Sequence, residues 1–342
     1  MDSPFDTLSE AQRIEHLASV ARRALSHWAV SKQATLTLLN ISENATYRID
    51  DPVDAPAQAE PLILRVHRTG YHTRDAVKTE LAWMKALQAE AGVETPQAIP
   101  ALDGELIQTI AAPELSEERF VVMFAFIDGQ EPDESDLLEP FTRLGAIAAK
   151  MHLHSRSWQR PPYFERLVWD YQRTVGPQGN WGDWHDGLGL TEGRIPVLEE
   201  ASHIIGKRLN RFGKGPERFG LIHADLRLAN LLVTPDHTRV IDFDDAGLSW
   251  FLYDLATAVS FMEEREGLGE LIHAWLQGYR AHAPLSDEEE AEIPTFLMLR
   301  RLAIVAWIGS HSETELAREL GAVFTEGSAR LARQYIDRFS SA

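Results

Sequence analysis

Between residues 6 and 30 the apolar positions Leu8, Ile14, Leu17, Val20 and Leu25 are spaced among charged ones, which predicts one or two helices laid on a larger body. The period then shortens. TLTLLNI (35–41), ATYRI (45–49) and PLILRVHR (61–68) are short β-prone runs, the last two separated by the polar, proline-bearing DDPVDAPAQAE, a pattern of antiparallel strands joined by turns. In DAVKTELAWMKALQAE, Val77, Leu81, Met84 and Leu87 share one helical face before Gly92 stops the helix. ELIQTIAA and ERFVVMFAFIDG are further β-prone pieces, and the acidic GQEPDESD follows them. Residues 1–127 therefore read as an N-terminal α+β lobe with leading helices.

From Phe141 the pattern becomes helical. FTRLGAIAAKMHLHSR and the stretches near 198–211, 251–278, 288–308 and 313–339 predict a mainly helical second lobe, 128–342. The exception is Phe219 to Leu248, where FGLIHADL, NLLVT and RVIDFDDAG read as short buried strands broken by polar residues.

Composition narrows the class. The chain has 342 residues, 44% of them hydrophobic and 25% charged, and no cysteine, so thiolate chemistry, disulfide scaffolds and cysteine metal sites are excluded. A formal charge of −19 opposes binding to nucleic acid or to an anionic membrane, and no basic patch offsets it. The start lacks a basic then apolar leader, and no apolar stretch approaches the roughly 20 residues that cross a bilayer. Cytoplasm is the expected compartment.

HADLRLANLLVTPDHTRVIDFDD concentrates His223, Asp225, Asn230, Asp242, Asp244 and Asp245 beside β-rich apolar segments. An ionised carboxylate near an apolar core needs hydrogen bonds, a cation or a metal to compensate it. The spacing allows a loop, a strand, a turn and a return strand to gather Asp225, Asn230 and Asp242. Such oxygen donors suit Mg²⁺, and Asp225 is placed to orient or deprotonate a hydroxyl in phosphoryl transfer. Another metal site or a purely polar structural cluster would use the same residues.

These motifs resemble the aminoglycoside phosphotransferase/choline kinase-like family, strongly over 219–256 and loosely over most of the chain. The resemblance implies a bilobal protein kinase-like α+β fold with a small antiparallel-sheet N-lobe and a larger helical C-lobe. HADLRLAN is similar to the family's catalytic loop, which makes Asp225 the base or hydroxyl-orienting residue and Asn230 a magnesium ligand. IDFD resembles the metal segment, with Asp242 as the second ligand. Asp254 in YDLA is expected to hydrogen-bond loop backbone, and His152 to support the fold nearby. His154 and His223 are expected in structural or loop-positioning roles.

In the N-lobe, LLNISENATYRI stands where a nucleotide-covering loop would lie, yet it has no glycine. Ser42 and Asn44 are the candidate phosphate contacts there. Arg65 occupies a strand position usual for lysine, and Glu80 resembles the carboxylate that aligns that cation. VVMFAFIDG resembles the connector between lobes, with Met123 and Phe124 lining an adenine slot. The implied activity is ATP- and Mg²⁺-dependent transfer of phosphate to the hydroxyl of a small molecule: an amino alcohol, amino acid or sugar. A Ser/Thr protein kinase of the same fold, a metal-dependent hydrolase and a noncatalytic nucleotide sensor are the competing readings. The chain's tryptophans are expected mostly in the core, with a substrate box as the alternative. Oligomeric state is not readable.

Overall fold

A computed structural model describes residue 5 and residues 7–41, 44–52, 60–133, 136–312 and 314–340. Ser9 opens α1 (Glu10–Ala24): its hydroxyl accepts from the Gln12 amide while the Gln12 side chain accepts from the Ser9 amide, a reciprocal cap. Leu17, Val20, Ala21 and Ala24 form the buried face of this helix. They pack on a five-stranded antiparallel sheet of β1 (Thr35–Ile41), β2 (Ala45–Asp50), β3 (Leu62–Val66), β4 (Ile107–Ala112) and β5 (Glu117–Ala125), ordered β1-β2-β3-β5-β4. Between β3 and β4 runs α2 (Arg74–Ala86), capped by Thr73 and prolonged by one π turn that ends at Gly92, whose φ of 62° the missing side chain permits.

Strand alternation sorts the sheet residues onto two faces. Tyr47, Ile49, Leu64, Val121 and Met123 join the α1 core. Val122 and Phe124 point the other way, into a core that includes Val77, Leu81 and Met84 of α2 and continues into the helical lobe.

That lobe contains α3 (Leu138–Ser157), β6 (Leu167–Val168), α4 (Tyr171–Val175) and α5 (Ile195–Phe212). Next come β7 (Phe219–Ile222), β8 (Leu231–Val233), β9 (Thr238–Val240) and β10 (Gly247–Trp250). The lobe closes with α6 (Leu252–Ala258), α7 (Leu268–Arg280), α8 (Asp287–Ala291), α9 (Ile293–Ser310) and α10 (Glu315–Phe339), the last kinked at Gly321. β10 is central to a three-stranded sheet, antiparallel to β7 and parallel to β6, while β8 and β9 pair alone. The molecule is thus an α+β protein with an antiparallel sheet in its N-terminal part and helices in its C-terminal part.

Two expectations change in detail. The helix anticipated over 251–278 is two helices, because the segment from Val259 to Gly267 turns through left-handed conformations at Phe261 (φ 71°) and Gly267 (φ 85°). The strands anticipated around the acidic motifs are shorter: β7 stops before His223 and β9 before Ile241, which puts the carboxylates on loops. A close approach of α3 and α7 anchors the lobe. A Cβ on Gly145 would stand 1.9 Å from the Trp275 carbonyl oxygen, and one on Gly278 would stand 1.8 Å from that of Thr142. Helix α9 is long and apolar enough by length and composition to cross a membrane, but 72% of it is buried inside this protein, as the central helix of the C-terminal core.

Candidate active site

The loop after β7 is built to be rigid. Ala224 has φ 65°, a left-handed conformation that an alanine adopts only under external constraint. Asp254, wholly buried on α6, supplies that constraint: Oδ1 accepts from the Ala224 amide at 2.8 Å and Oδ2 from the His223 amide at 3.2 Å. Two residues on, the Leu226 amide donates to Thr257 Oγ1 at 3.0 Å, again from α6. His152 on α3 holds Asp254 in turn, with Nε2 at 2.9 Å from Oδ2 and Nδ1 at 3.1 Å from the Tyr279 hydroxyl. Burial keeps this imidazole below its ordinary pKa despite the carboxylate beside it.

His223 ties the loop to the following acidic segment. Its Nδ1 accepts from the Asp225 amide (3.3 Å), which leaves Nε2 to donate to the Ile241 carbonyl (3.0 Å), so the ring is the neutral Nε2–H tautomer. Burial holds its pKa down as well.

Asp225 stands at the mouth of this loop, partly open to solvent. Asn230, buried in the 3₁₀ turn Leu228–Asn230, donates Nδ2 to the Asp225 carbonyl (2.8 Å) and to Oδ2 (3.0 Å). That orientation frees the Asn230 amide oxygen. Arg227 Nε lies 3.1 Å from Asp225 Oδ1, and Arg300 Nη2 lies 2.7 Å from it. Burial alone would raise the Asp225 pKa; Arg227 and Arg300 outweigh it and hold the carboxyl below its ordinary value. Asp225 is therefore an anion.

Asp242, also left-handed at φ 61°, opens into the cleft. Its carboxyl is pushed up to about 7, first by the desolvating walls around it and then by the Asp244 charge, with Asp225 and Glu80 adding to the same effect. A carboxylate held against its own neighbours is one that a cation would relieve. The donor set fits Mg²⁺: an amide oxygen from Asn230 and a carboxylate from Asp242 are hard oxygens, too few to enclose an ion, and leave positions for water and phosphate. No cluster of three or more His, Asp or Glu side chains able to hold a metal occurs among the described residues.

The N-lobe approaches from the other side. Arg65 on β3 donates Nη2 to Glu80 Oε1 of α2 at 2.6 Å, and both side chains are buried. This is an interior pair, and its guanidinium lies 5.2 Å from the Phe124 ring. Burial would lower the Arg65 pKa, but the Glu80, Asp244 and Asp242 charges raise it. Asn44 is buried at the start of β2, with Oδ1 accepting from the Arg68 amide at 3.1 Å. Ser42 lies outside the described residues. Met123 and Phe124, paired in sequence, part in space: only Phe124 faces the Arg65 side, because neighbours on a strand point to opposite faces.

Several site residues escaped the sequence reading. Arg166 is buried and donates to the carbonyls of Ala76, Phe243, Asp244 and Ala246, so one guanidinium joins α2 to the acidic loop. Tyr71 donates to Asp245 Oδ1 (2.5 Å), and His72 Nε2 lies 2.8 Å from the Asp244 carbonyl, closing the cleft from the N-terminal side. Asp244 has burial working against its charge, yet His72, Arg65 and His67 hold it far below the carboxylate range. Arg300 had a legible signal: in LMLRRLAIVAW two consecutive arginines interrupt an apolar helix, and a buried cation requires a partner. The aromatic side chains are mostly core: Trp169, Trp184, Trp250 and Trp275 are all but fully buried. A cavity of about 780 Å³ among α7, α9 and α10 contains none of the residues of this cleft.

A rigid loop carrying an ionised aspartate, hard oxygen donors beside it and a buried cation across the cleft form a candidate site whose chemistry suits phosphoryl transfer. Residues 35–288 match the phosphotransferase enzyme family, and the chain belongs to that family. The protein is accordingly an enzyme, a kinase-type phosphotransferase. The chain is 41% identical to a microcompartment-associated aminopropanol kinase of known structure, with a TM-score of 0.86 over 94% of this chain and 98% of that one. It is 26% identical over 314 residues to the amicoumacin kinase of Bacillus subtilis (strain 168), covering 88% of this chain and 87% of that protein. A homoserine kinase of Cupriavidus taiwanensis is 27% identical over 244 residues, 68% of this chain and 67% of its own. The solved structure of an amicoumacin kinase shares the fold at TM-score 0.76 and 21% identity, over 97% of each chain.

Proposed function

We propose that this protein is an ATP- and Mg²⁺-dependent kinase that phosphorylates the hydroxyl of a small amino alcohol of the aminopropanol type. The observation that carries the substrate class is the 41% identity to an aminopropanol kinase over nearly the full length of both chains. The working division is the one expected from sequence: residues 1–127 hold the nucleotide and 128–342 supply catalysis and the acceptor site. The compartment is the cytoplasm, where ATP is available and a chain without cysteine meets no constraint.

In this reading Asp225 accepts a hydrogen bond from the acceptor hydroxyl, aims its oxygen at the γ-phosphorus and receives its proton as the new P–O bond forms. Held as an anion by Arg227 and Arg300, it orients more than it pulls, which suits a transition state in which bond breaking leads. Asn230 and Asp242 would hold the magnesium ion, which when bound would neutralise phosphate charge. Arg65, kept in place by Glu80, pairs with the phosphates. Phe124 and the connector after Ala125 border the adenine, with Met123 contributing through the sheet it stiffens; Asn44 belongs to the cover over the phosphates.

The test is transfer of labelled γ-phosphate in the presence of Mg²⁺ to aminopropanol, other small amino alcohols, homoserine, sugars and an unmodified protein substrate. Aminopropanol or a close amino alcohol is expected to give the highest kcat/KM, and Asp225→Asn is expected to lower kcat by about 10³-fold. Preferential labelling of homoserine, a sugar or the polypeptide sinks the amino-alcohol reading. Phosphate release that needs no acceptor would make the protein a hydrolase.

A further inference from the structure

Arg300 is 3% exposed in a helix whose buried residues, apart from Thr295 and the adjacent Arg301, are apolar. A guanidinium in such a place is destabilising unless its donors find acceptors. They find three, on two different segments. Nη2 donates to Asp225 Oδ1 at 2.7 Å, Nη1 to the Ala224 carbonyl at 3.4 Å and Nε to Ser260 Oγ at 3.1 Å. Trp181 and Tyr253 flank the group, with ring centres 4.9 and 5.9 Å from its Cζ.

The consequence lies at Ala224. Its strained peptide is gripped on both sides, the amide by Asp254 of α6 and the carbonyl by Arg300 of α9. Arg227 makes a different kind of contact with Asp225: it reaches the carboxylate through Nε alone, from a side chain that is 32% exposed. Of the two arginines, Arg300 is the one whose position is fixed by other anchors.

We infer that Arg300 is a positioning residue for the transfer step, acting through Asp225. From α9 it sets the direction of the Asp225 carboxylate and the left-handed turn that presents it, so that the acceptor hydroxyl is met in one orientation. The inference rests on the reading of Asp225 as the hydroxyl-orienting group. Arg300 touches neither the Arg65–Glu80 pair nor Asp242, so its loss acts on turnover and leaves nucleotide binding alone. Misplacing a reacting group by about 1 Å lowers a rate by roughly 100-fold, which sets the scale of the effect.

The experiment compares Arg300→Met, Arg300→Lys, Ser260→Ala, Asp225→Asn and the Arg300→Met/Asp225→Asn pair. Steady-state kinetics with the acceptor found above are combined with direct measurement of the ATP Kd. Arg300→Met is expected to lower kcat by about 100-fold with ATP Kd and acceptor KM within about 3-fold of the parent, and Arg300→Lys to recover about 10-fold. In the Asp225→Asn background the same change is expected to add less than about 3-fold, because its route of action is already gone. A kcat near the parent value in Arg300→Met, with Asp225→Asn inactive, overturns the inference and leaves the role of Asp225 standing. Full additivity of the two changes, or an equal loss of ATP binding, also overturns it, since a general structural role would do both. Activity retained by Asp225→Asn fails the underlying reading instead. Should Arg300→Met not fold, Ser260→Ala decides: it removes one anchor, and about 3- to 10-fold lower kcat at unchanged ATP Kd is expected, whereas an unchanged kcat overturns the inference.

Discussion

Asp225 and Asp242 are 17 residues apart and are driven in opposite directions. Two arginines hold the first as an anion, while crowding and a neighbouring negative charge raise the second to about 7. Asp242 is therefore a destabilising residue in the protein without its cation. Its folded value lies above the ordinary 3.8, so the stability it contributes is present below that pH and is lost as pH rises toward 7. Asp242→Asn is expected to raise the melting temperature of the metal-free protein at pH 7.5, modestly because water reaching the cleft screens the charge, and to abolish Mg²⁺-dependent turnover. Calorimetry at pH 7.5 checks it; a lower melting temperature for the variant contradicts the assignment. These residues were legible in sequence because residue type and spacing alone specify an oxygen-rich site. Their unequal protonation was not, since it depends on Arg300, 58 residues beyond Asp242, and on which carboxylate faces the cleft.

At the level of elements, the site depends on supports placed far away in the chain. Helix α6 offers Asp254 and Thr257 to three loop amides, those of His223, Ala224 and Leu226, and α3 brings His152 to Asp254. Asp254→Ala is expected to release Ala224 from its strained conformation and to lower kcat by about 100-fold while ATP still binds, as read by single-turnover transfer and nucleotide titration. Undiminished kcat would show that the turn holds itself. The crossing of α3 and α7 gives a stability prediction with a steric cause. Gly145→Ala puts a methyl group 1.9 Å from the Trp275 carbonyl oxygen, so the helices must separate. A loss of about 1–3 kcal/mol is expected in denaturant unfolding, and none would mean the helices part freely. Elements were readable where their periodicity was unbroken, as in α1, α2 and β3. They were misjudged where a break was read through: between α6 and α7 the charged run Glu263–Glu266 and Gly267 interrupt the apolar spacing, while the other left-handed position, Phe261, carries no turn signature.

Across the whole molecule the histidines set the acid limit. His67, His152 and His223 are each held below the ordinary imidazole value by burial. The unfolded chain takes up protons that the folded one refuses once pH falls below about 6.5, so stability present above that value is lost progressively below it. Asp242 and Glu263, both raised first by burial, work in the opposite sense over part of the same range. The melting temperature is expected to fall between pH 7 and pH 5 with net proton uptake on unfolding, measured by calorimetry in buffers of differing ionisation heat; a rising melting temperature over that range would refute it.

The sequence by itself determined the α+β division and the gathering of Asp225, Asn230 and Asp242 into one oxygen-rich segment, because those depend on residue type, period and short spacing; the phosphotransferase chemistry came from the resemblance that this segment carries. Only the tertiary structure decided that Arg65 and Glu80 form an interior pair, that Met123 and Phe124 lie on opposite sheet faces, and that Arg166 and Arg300 reach the site from distant segments. The reason is physical: a buried charge is defined by the partners that surround it, and those partners are chosen by packing among elements far apart in the chain.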